Sequence, residues 1–159
     1  MTLKFIIKRV FLFGFTTVSF FMIGCREKQE ESKAKDGAIT FIESRWYTKE
    51  QFELGDRVFS ANCSHCHGGL GQGLVEDWKT PNPDGQFPAP PLNGTAHTWH
   101  HSKEVLIETI NNGGIPFGGS MPAFKNVLTE EEKEAVIAFI QNLWDDEIYR
   151  KWEKTYPVN

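Results

Sequence analysis

The sequence predicts an all-α domain of three to four helices. Three segments carry apolar residues at helical spacing, and each begins directly after a residue that can cap a first turn: Thr48, Ser102 and Thr129. The stretch 68–96 between the first two segments is rich in Gly and Pro, which is typical of turns and loops. At 159 residues, the chain is long enough for one such domain with additional terminal segments.

The first helix is predicted from Lys49 to about Asn62, with Thr48 as its N-cap. A glycine inside a helix costs about 1 kcal/mol relative to alanine, so Gly55 calls for a packing reason. Gly55 belongs to the apolar side of this helix, which also includes Phe52, Val58 and Phe59.

Directly after this helix comes the string Cys63-Ser64-His65-Cys66-His67. Two cysteines separated by two residues could form a redox dithiol or half of a zinc site. A histidine immediately after the second cysteine instead matches the attachment signature of c-type haem, in which two thiols form thioethers and the histidine can ligate the iron. The motif therefore favours covalent haem over the other two interpretations.

Met121 lies in a loop-like string, Gly118-Gly119-Ser120-Met121-Pro122, and is the only methionine beyond the N-terminal segment that holds Met1 and Met22. A lone methionine is usually a core filler. After a haem motif, however, a histidine and a methionine form a recognised axial pair of electron-transferring cytochromes. We therefore expect Met121 to be the second axial ligand.

Two further helices follow. One is expected to begin after Ser102 and run to about Asn112, where Gly113-Gly114 ends it; its inward residues are predicted as Val105, Leu106, Thr109 and Ile110. The other begins at Thr129, where Glu132 completes a capping box. Its apolar stripe comprises Val136, Phe139, Ile140 and Leu143.

Residues 145–159 form a C-terminal extension, in which 145–156 continue a helical pattern. Ile148, Trp152 and Tyr156 are spaced four apart. The extension either lies on the domain or serves as a docking element for a membrane partner, and we favour the first interpretation.

From Lys49 to Trp144 the chain resembles the class I c-type cytochromes. The resemblance rests on four motifs in order: Gly55-x-x-x-Phe59-x-x-x-Cys63-x-x-Cys66-His67, Pro90-x-Leu92-x-Gly94, Met121-Pro122, and a terminal amphipathic helix with Phe139. It implies a class I cytochrome c-like fold over 49–144, wrapped around one covalently bound haem c.

The resemblance also implies a role for individual residues. Gly55 would let the first helix cross the last one closely, near Phe139. The carbonyl of Pro90 would accept a hydrogen bond from the far nitrogen of His67, which orients the ring and raises its basicity. Pro91 follows directly, so the register of this contact stays open by one residue.

The N-terminal segment is predicted to act as a secretion signal and to anchor the protein to a membrane. Lys4, Lys8 and Arg9 precede the apolar run 10–23, as in a secretory signal peptide covering 1–24. The end of this run resembles a bacterial lipobox, which implies cleavage before Cys25 and acylation of that residue; an uncleaved signal anchor is the alternative. Both interpretations place the domain outside the cytoplasmic membrane, in the periplasm.

Residues 25–48 are predicted to link this anchor to the domain. The stretch 26–37 is almost entirely polar and reads as a flexible linker. The apolar and aromatic residues within 38–47 suggest a segment that packs on the domain, as strand or as coil.

The formal net charge is −4, and it becomes −7 without the three basic residues of the first 24. This balance argues against a nucleic-acid partner, and it either favours a basic docking surface or only aids solubility. With both axial positions filled there is no site for a small-molecule substrate, and no nucleophile–base pair is evident. We therefore expect an electron carrier between a redox donor and an acceptor, not an enzyme in itself.

Two alternatives remain. In a haem sensor or peroxidase, Met121 would leave so that the iron can bind a gas or peroxide. In a copper-handling lipoprotein, the cluster His97, His100 and His101 would bind a second metal. The plain interpretation of that cluster is a loop whose histidines face water, a haem propionate or a partner.

Overall fold

The computed structural model describes residues 39–158. The predicted signal peptide, the predicted acylation site Cys25 and the polar stretch 26–37 lie outside the described residues. Within them the chain forms five α-helices and no β-strand: α1 Lys49–Asn62, α2 Ser64–His67, α3 Lys103–Asn112, α4 Glu130–Asn142 and α5 Asp146–Thr155. The all-α prediction is confirmed, and the helices beyond the expected number are the short α2 and the separate α5. None of these helices is long and apolar enough to cross a membrane.

The crossing of α1 over α4 organises the domain. A Cβ placed on Gly55 would lie 1.9 Å from the carbonyl oxygen of Ala135 and 2.9 Å from Cβ of Phe139. Around this contact the ring of Phe139 packs 4.8 Å from that of Phe59 and 6.0 Å from that of Phe52, centroid to centroid. The expected close approach of the first and last helices of the haem domain at Gly55 is therefore confirmed.

The helix starts follow the predicted caps. The Thr48 side chain accepts from Gln51 N, the Ser102 side chain from Val105 N, and Thr129 forms the expected capping box with Glu132. The prediction that Val105 faces inward was wrong, because Val105 is 41% exposed, whereas Ile110 is buried. The first turn of α3 does contact α4, since Lys103 Nζ lies 3.3 Å from Glu134 Oε1, but the side of that turn that carries Val105 faces solvent.

The C-terminal half of α4 is buried on more sides than its apolar stripe predicts. Ile137, Ala138 and Gln141 are fully buried in addition to the stripe. The segment from Ile39 to Tyr47 packs here as turns and bends, which answers the question of strand or coil in favour of coil. Asn142 on α4 accepts from Ile42 N at 3.0 Å and donates to Thr40 O at 2.8 Å.

Arg45 fastens this segment to the end of α4. Its guanidinium donates to the backbone carbonyls of Gln141 and Trp144 and to Asp146 Oδ1, and it lies 4.4 Å from the ring centroid of Tyr149. The carbonyls at a helix C-terminus have no partner within the helix, so a buried cation here completes the cap.

The predicted extension is a separate helix, α5, which begins after Asp145 as its N-cap. Trp152 is 1% exposed and its indole N–H donates to the carbonyl of His101 at 2.7 Å. Tyr156 Oη donates to the carbonyl of His100, also at 2.7 Å. The helix therefore lies on the domain, as we favoured from the sequence.

Candidate haem-binding site

The C-x-x-C-H motif forms a single helical turn directly after α1. Cys63 ends α1 by donating its backbone N–H to Phe59 O at 2.8 Å, and it is also the N-cap of α2. Residues three apart on a helix lie on the same side, so Cys63 and Cys66 are neighbours on this turn. Both are unpaired and partly buried. The crossing of α1 and α4 thus fixes the place of the motif.

His67 ends this turn in a buried position, 7% exposed. Its Nδ1 lies 2.9 Å from the carbonyl oxygen of Pro90. Since a carbonyl can only accept, Nδ1 must carry the proton, and the neutral ring then has its lone pair on Nε2. Burial lowers the pKa of His67, the bond to Pro90 opposes that shift, and His65 adds to it. The ring is therefore kept neutral, as a metal ligand must be.

Backbone hydrogen bonds hold Pro90 in place. Gly73 N donates to His67 O at 2.7 Å, and Leu92 N donates to Gly71 O at 2.6 Å. The indole of Trp144, beyond the end of α4, donates to Leu92 O at 2.8 Å. The carbonyl of Pro91 instead accepts from Thr98 Oγ1 at 3.2 Å. The carbonyl that faces His67 is thus that of Pro90.

Gly71 and Trp144 are the supporting residues that the sequence analysis missed. Gly71 adopts a positive φ of 63°, which favours glycine. The glycine-rich string 68–73 signals such a turn, but nothing in the sequence connects it to Trp144, which is far away along the chain.

Met121 lies at the end of a loop that begins at the C-cap of α3. Gly114 N donates to Met121 O at 3.0 Å. Gly113 has a positive φ of 75°, and a Cβ there would lie 2.5 Å from Met121 O. Met121 and Cys63 are both partly buried and pack against the same apolar core. Two glycines therefore let the Met121 backbone approach the end of α3 closely.

The residues around the motif fit a haem better than a zinc ion. Burial raises the pKa of Cys63 to about 11, with the neighbouring Cys66 as the next cause. Structural zinc sites use four Cys or His ligands. Over residues 39–158, no group of three or more His, Cys, Asp or Glu side chains could hold a metal ion. Two partly buried thiols beside one neutral imidazole suit covalent attachment of an apolar macrocycle.

The histidine cluster shows the same lack of a ligand set. The rings of His97 and His101 lie 5.5 Å apart, and His97 also stacks on Trp78 at 5.3 Å. His100 instead packs against Trp99 at 3.8 Å. Burial, followed by the charges of the neighbouring histidines, lowers the pKa of His97. In the described part of the chain, these three histidines do not converge on a metal position.

Helix α1 crosses α4 and leads directly into a turn that carries a haem-attachment motif and a buried histidine. Together with the loop that carries Met121, this arrangement defines a class I c-type cytochrome that binds one covalent haem c. Residues 50–140 match the family model described as cytochrome C oxidase, cbb3-type, subunit III, and the chain belongs to this family.

Similar curated proteins include the cbb3-type cytochrome c oxidase subunit CcoP of Azospirillum sp. (strain B510), 32% identical over 56% of this chain and 27% of the relative. CcoP of Helicobacter pylori (strain 52) is 28% identical over 82% of this chain and 39% of the relative. Cytochrome c6 of Bryopsis maxima is 34% identical over 55% of this chain and 86% of the relative. The chain thus spans well under half of the CcoP relatives. No solved structure matches it.

Proposed function

We propose that this protein carries single electrons between respiratory redox proteins, with Cys63 and Cys66 as thioether attachment points and His67 and Met121 as axial ligands. The observation that carries this proposal is the hydrogen bond from His67 Nδ1–H to Pro90 O at 2.9 Å. It leaves the lone pair of Nε2 free on a buried, neutral imidazole, which is the state that ligation requires.

Bound haem supplies a one-electron couple. His67 is oriented by Pro90, which also raises its basicity, and the thioether of Met121 favours a higher reduction potential. With both axial positions taken by side chains, no position remains for a substrate, so electron transfer is the activity that these residues support.

The name of the CcoP relatives, a subunit of a cbb3-type cytochrome c oxidase, favours a respiratory setting. We propose a redox protein donor and a redox protein acceptor, with the chain acting either as a free carrier or as a subunit of a larger oxidoreductase. Acylation at Cys25 would tether it to the periplasmic side of a membrane, within reach of membrane-bound partners.

The axial pair is tested on the haem-loaded protein by absorption spectroscopy. The oxidised wild type should show the far-red charge-transfer band of methionine–iron ligation. Met121→Leu should lose this band and bind carbon monoxide rapidly when reduced, because one axial position is then open. Ser120→Ala, at the exposed neighbouring position, is the matched control and should keep the band. A wild type without the band that binds carbon monoxide as fast as Met121→Leu would instead indicate the sensor or peroxidase.

The tether is tested by fractionating cells that express wild type or Cys25→Ser. We expect the wild type in the membrane fraction with an acylated N-terminus, and Cys25→Ser without acylation. If the wild type keeps residues 1–24 and carries no acyl chain, the uncleaved signal anchor is the correct interpretation.

A further inference from the structure

A turn in the Gly- and Pro-rich loop contacts the loop that carries Met121. The backbone N–H of Phe87 donates to Gly118 O at 2.8 Å, and Phe87 forms an isolated parallel bridge with Gly119. The Phe87 ring lies 3.3 Å from the position that a Cβ on Gly118 would occupy.

Asn82 stabilises this turn by hydrogen bonds to other residues of the turn. Its side-chain oxygen accepts from Asp84 N and Gln86 N, both at 3.0 Å. Its backbone N–H donates to Gln86 O at 2.9 Å, and its carbonyl accepts from Gly85 N at 2.9 Å. Four hydrogen bonds within six residues make the turn a preformed unit that presents Phe87 at a fixed place.

A continuous set of backbone bonds leads from Phe87 to the methionine. Phe87 holds the segment of Gly118 and Gly119, and Gly119 N donates to Gly114 O at 3.0 Å. Gly114 N in turn donates to Met121 O, also at 3.0 Å. Loosening the Phe87 contact therefore weakens the hold on the loop segment that directly precedes Met121.

We propose that Asn82 and Phe87 are positioning residues for Met121: the turn 82–87 braces the methionine loop and keeps the sulfur in place against competing ligands. The inference rests on the proposed axial role of Met121. Neither residue belongs to the proposed ligand set, so each would act through the loop. The net effect of one protein hydrogen bond corresponds to a change of about two- to tenfold in an equilibrium constant, which sets the expected size.

The experiment is an imidazole titration of the oxidised, haem-loaded protein, followed by loss of the far-red methionine band. Asn82→Ala should lose the band at about two- to tenfold lower imidazole concentration than wild type, because it removes the acceptor of two hydrogen bonds. Phe87→Ala keeps the backbone N–H that bonds to Gly118 O and removes only the ring that lies against Gly118. It should therefore shift the titration in the same direction, and by more than Phe117→Ala does. Asn82→Asp should stay close to wild type, because the carboxylate accepts the same two hydrogen bonds. Phe117→Ala is the matched control: it removes the same ring from the methionine loop itself, at a side chain that is 79% exposed, and should change the titration less than twofold.

The outcomes separate the two proposals. Wild type that shows the band, with Phe87→Ala and Asn82→Ala titrating like wild type, would overturn the brace and leave the axial pair standing. An equal effect of Phe117→Ala would also overturn it, since general loosening of the loop would then suffice. Wild type without the band would overturn the proposed function together with this inference. If Phe87→Ala does not fold, Asn82→Ala with rescue by Asn82→Asp still decides.

Discussion

Replacing Gly55 by alanine sets two effects of opposite sign against each other. In an exposed helix this change would raise the free energy of unfolding by about 1 kcal/mol, because alanine is the better helix former. Here the added methyl group would lie 1.9 Å from Ala135 O and 2.6 Å from the carbonyl carbon of that residue. To reach ordinary contact, the backbone of α4 must withdraw to at least 3.4 Å.

Such a shift pulls Phe139 away from Phe52 and Phe59, so the cost includes lost aromatic packing as well as overpacking. Overpacking alone typically costs about 1–3 kcal/mol, and separating a well-packed aromatic pair adds about 0.5–1.5 kcal/mol. We therefore expect Gly55→Ala to lower the free energy of unfolding by about 2 kcal/mol or more, despite its better helix propensity.

The assay is guanidinium unfolding of the haem-loaded protein followed by circular dichroism. Ala61→Gly, at an exposed position of the same helix, is the control and should cost only the propensity difference of about 1 kcal/mol. A Gly55→Ala protein as stable as wild type, or more stable, would show that α1 and α4 do not cross as closely as described.

Two further predictions concern the ends of α4. Arg45→Leu should lower the free energy of unfolding by about 2–5 kcal/mol in the same assay, because it leaves the buried carbonyls of Gln141 and Trp144 unpaired. Arg150→Ala is its control, because Arg150 also contacts Asp146, at 3.5 Å, but its side chain is 73% exposed. This control should change the free energy of unfolding by less than about 0.5 kcal/mol. Similar losses from both substitutions would contradict the capping role of Arg45. At the other end, the hydrogen bonds from Thr129 hold the pKa of Glu132 below its ordinary value of 4.5. The Glu132 contribution should therefore be fully present above pH 4.5 and disappear as the pH falls through the lower folded-state pKa. Unfolding curves of wild type and Glu132→Gln should differ near neutral pH and converge in acid; a constant difference would exclude this origin.

The features that the sequence predicted correctly are local ones. The caps at Thr48, Ser102 and Thr129 act within three residues of themselves, so a short window of sequence contains the whole interaction. The inward orientation predicted for Val105 was wrong because its exposure depends on which side of α3 packs against the rest of the domain, and helical periodicity alone does not settle that. The break before α5 had a local signal too, namely Asp145 three residues before Ile148, whose backbone N–H it caps.

The contacts that the sequence did not predict join residues far apart in the chain. Arg45 reaches the end of α4 across nearly a hundred residues, and a single arginine within the apolar and aromatic segment 38–47 gives no sign of that partner. Phe87 is similar: a phenylalanine between Gly85 and Pro88 indicates a loop, but its partner at Gly118 depends on the path of two loops. The contact of Pro90 with His67 was expected only through the resemblance to a family.

These differences suggest that the two sides of the haem site are stabilised by different parts of the domain, which the experiments can distinguish. The thioether and histidine side of the site continues directly from α1, so its position depends on the helix crossing at Gly55 and on the free energy that stabilises the whole domain. The methionine side depends on backbone bonds among glycines and on the turn of Asn82, which carry little of the buried core. Gly55→Ala should therefore destabilise the fold while leaving the far-red band of the folded molecules in place, whereas Asn82→Ala should weaken retention of the sulfur with little change in unfolding. The reverse pattern would mean that the core, rather than the loop turn, holds Met121.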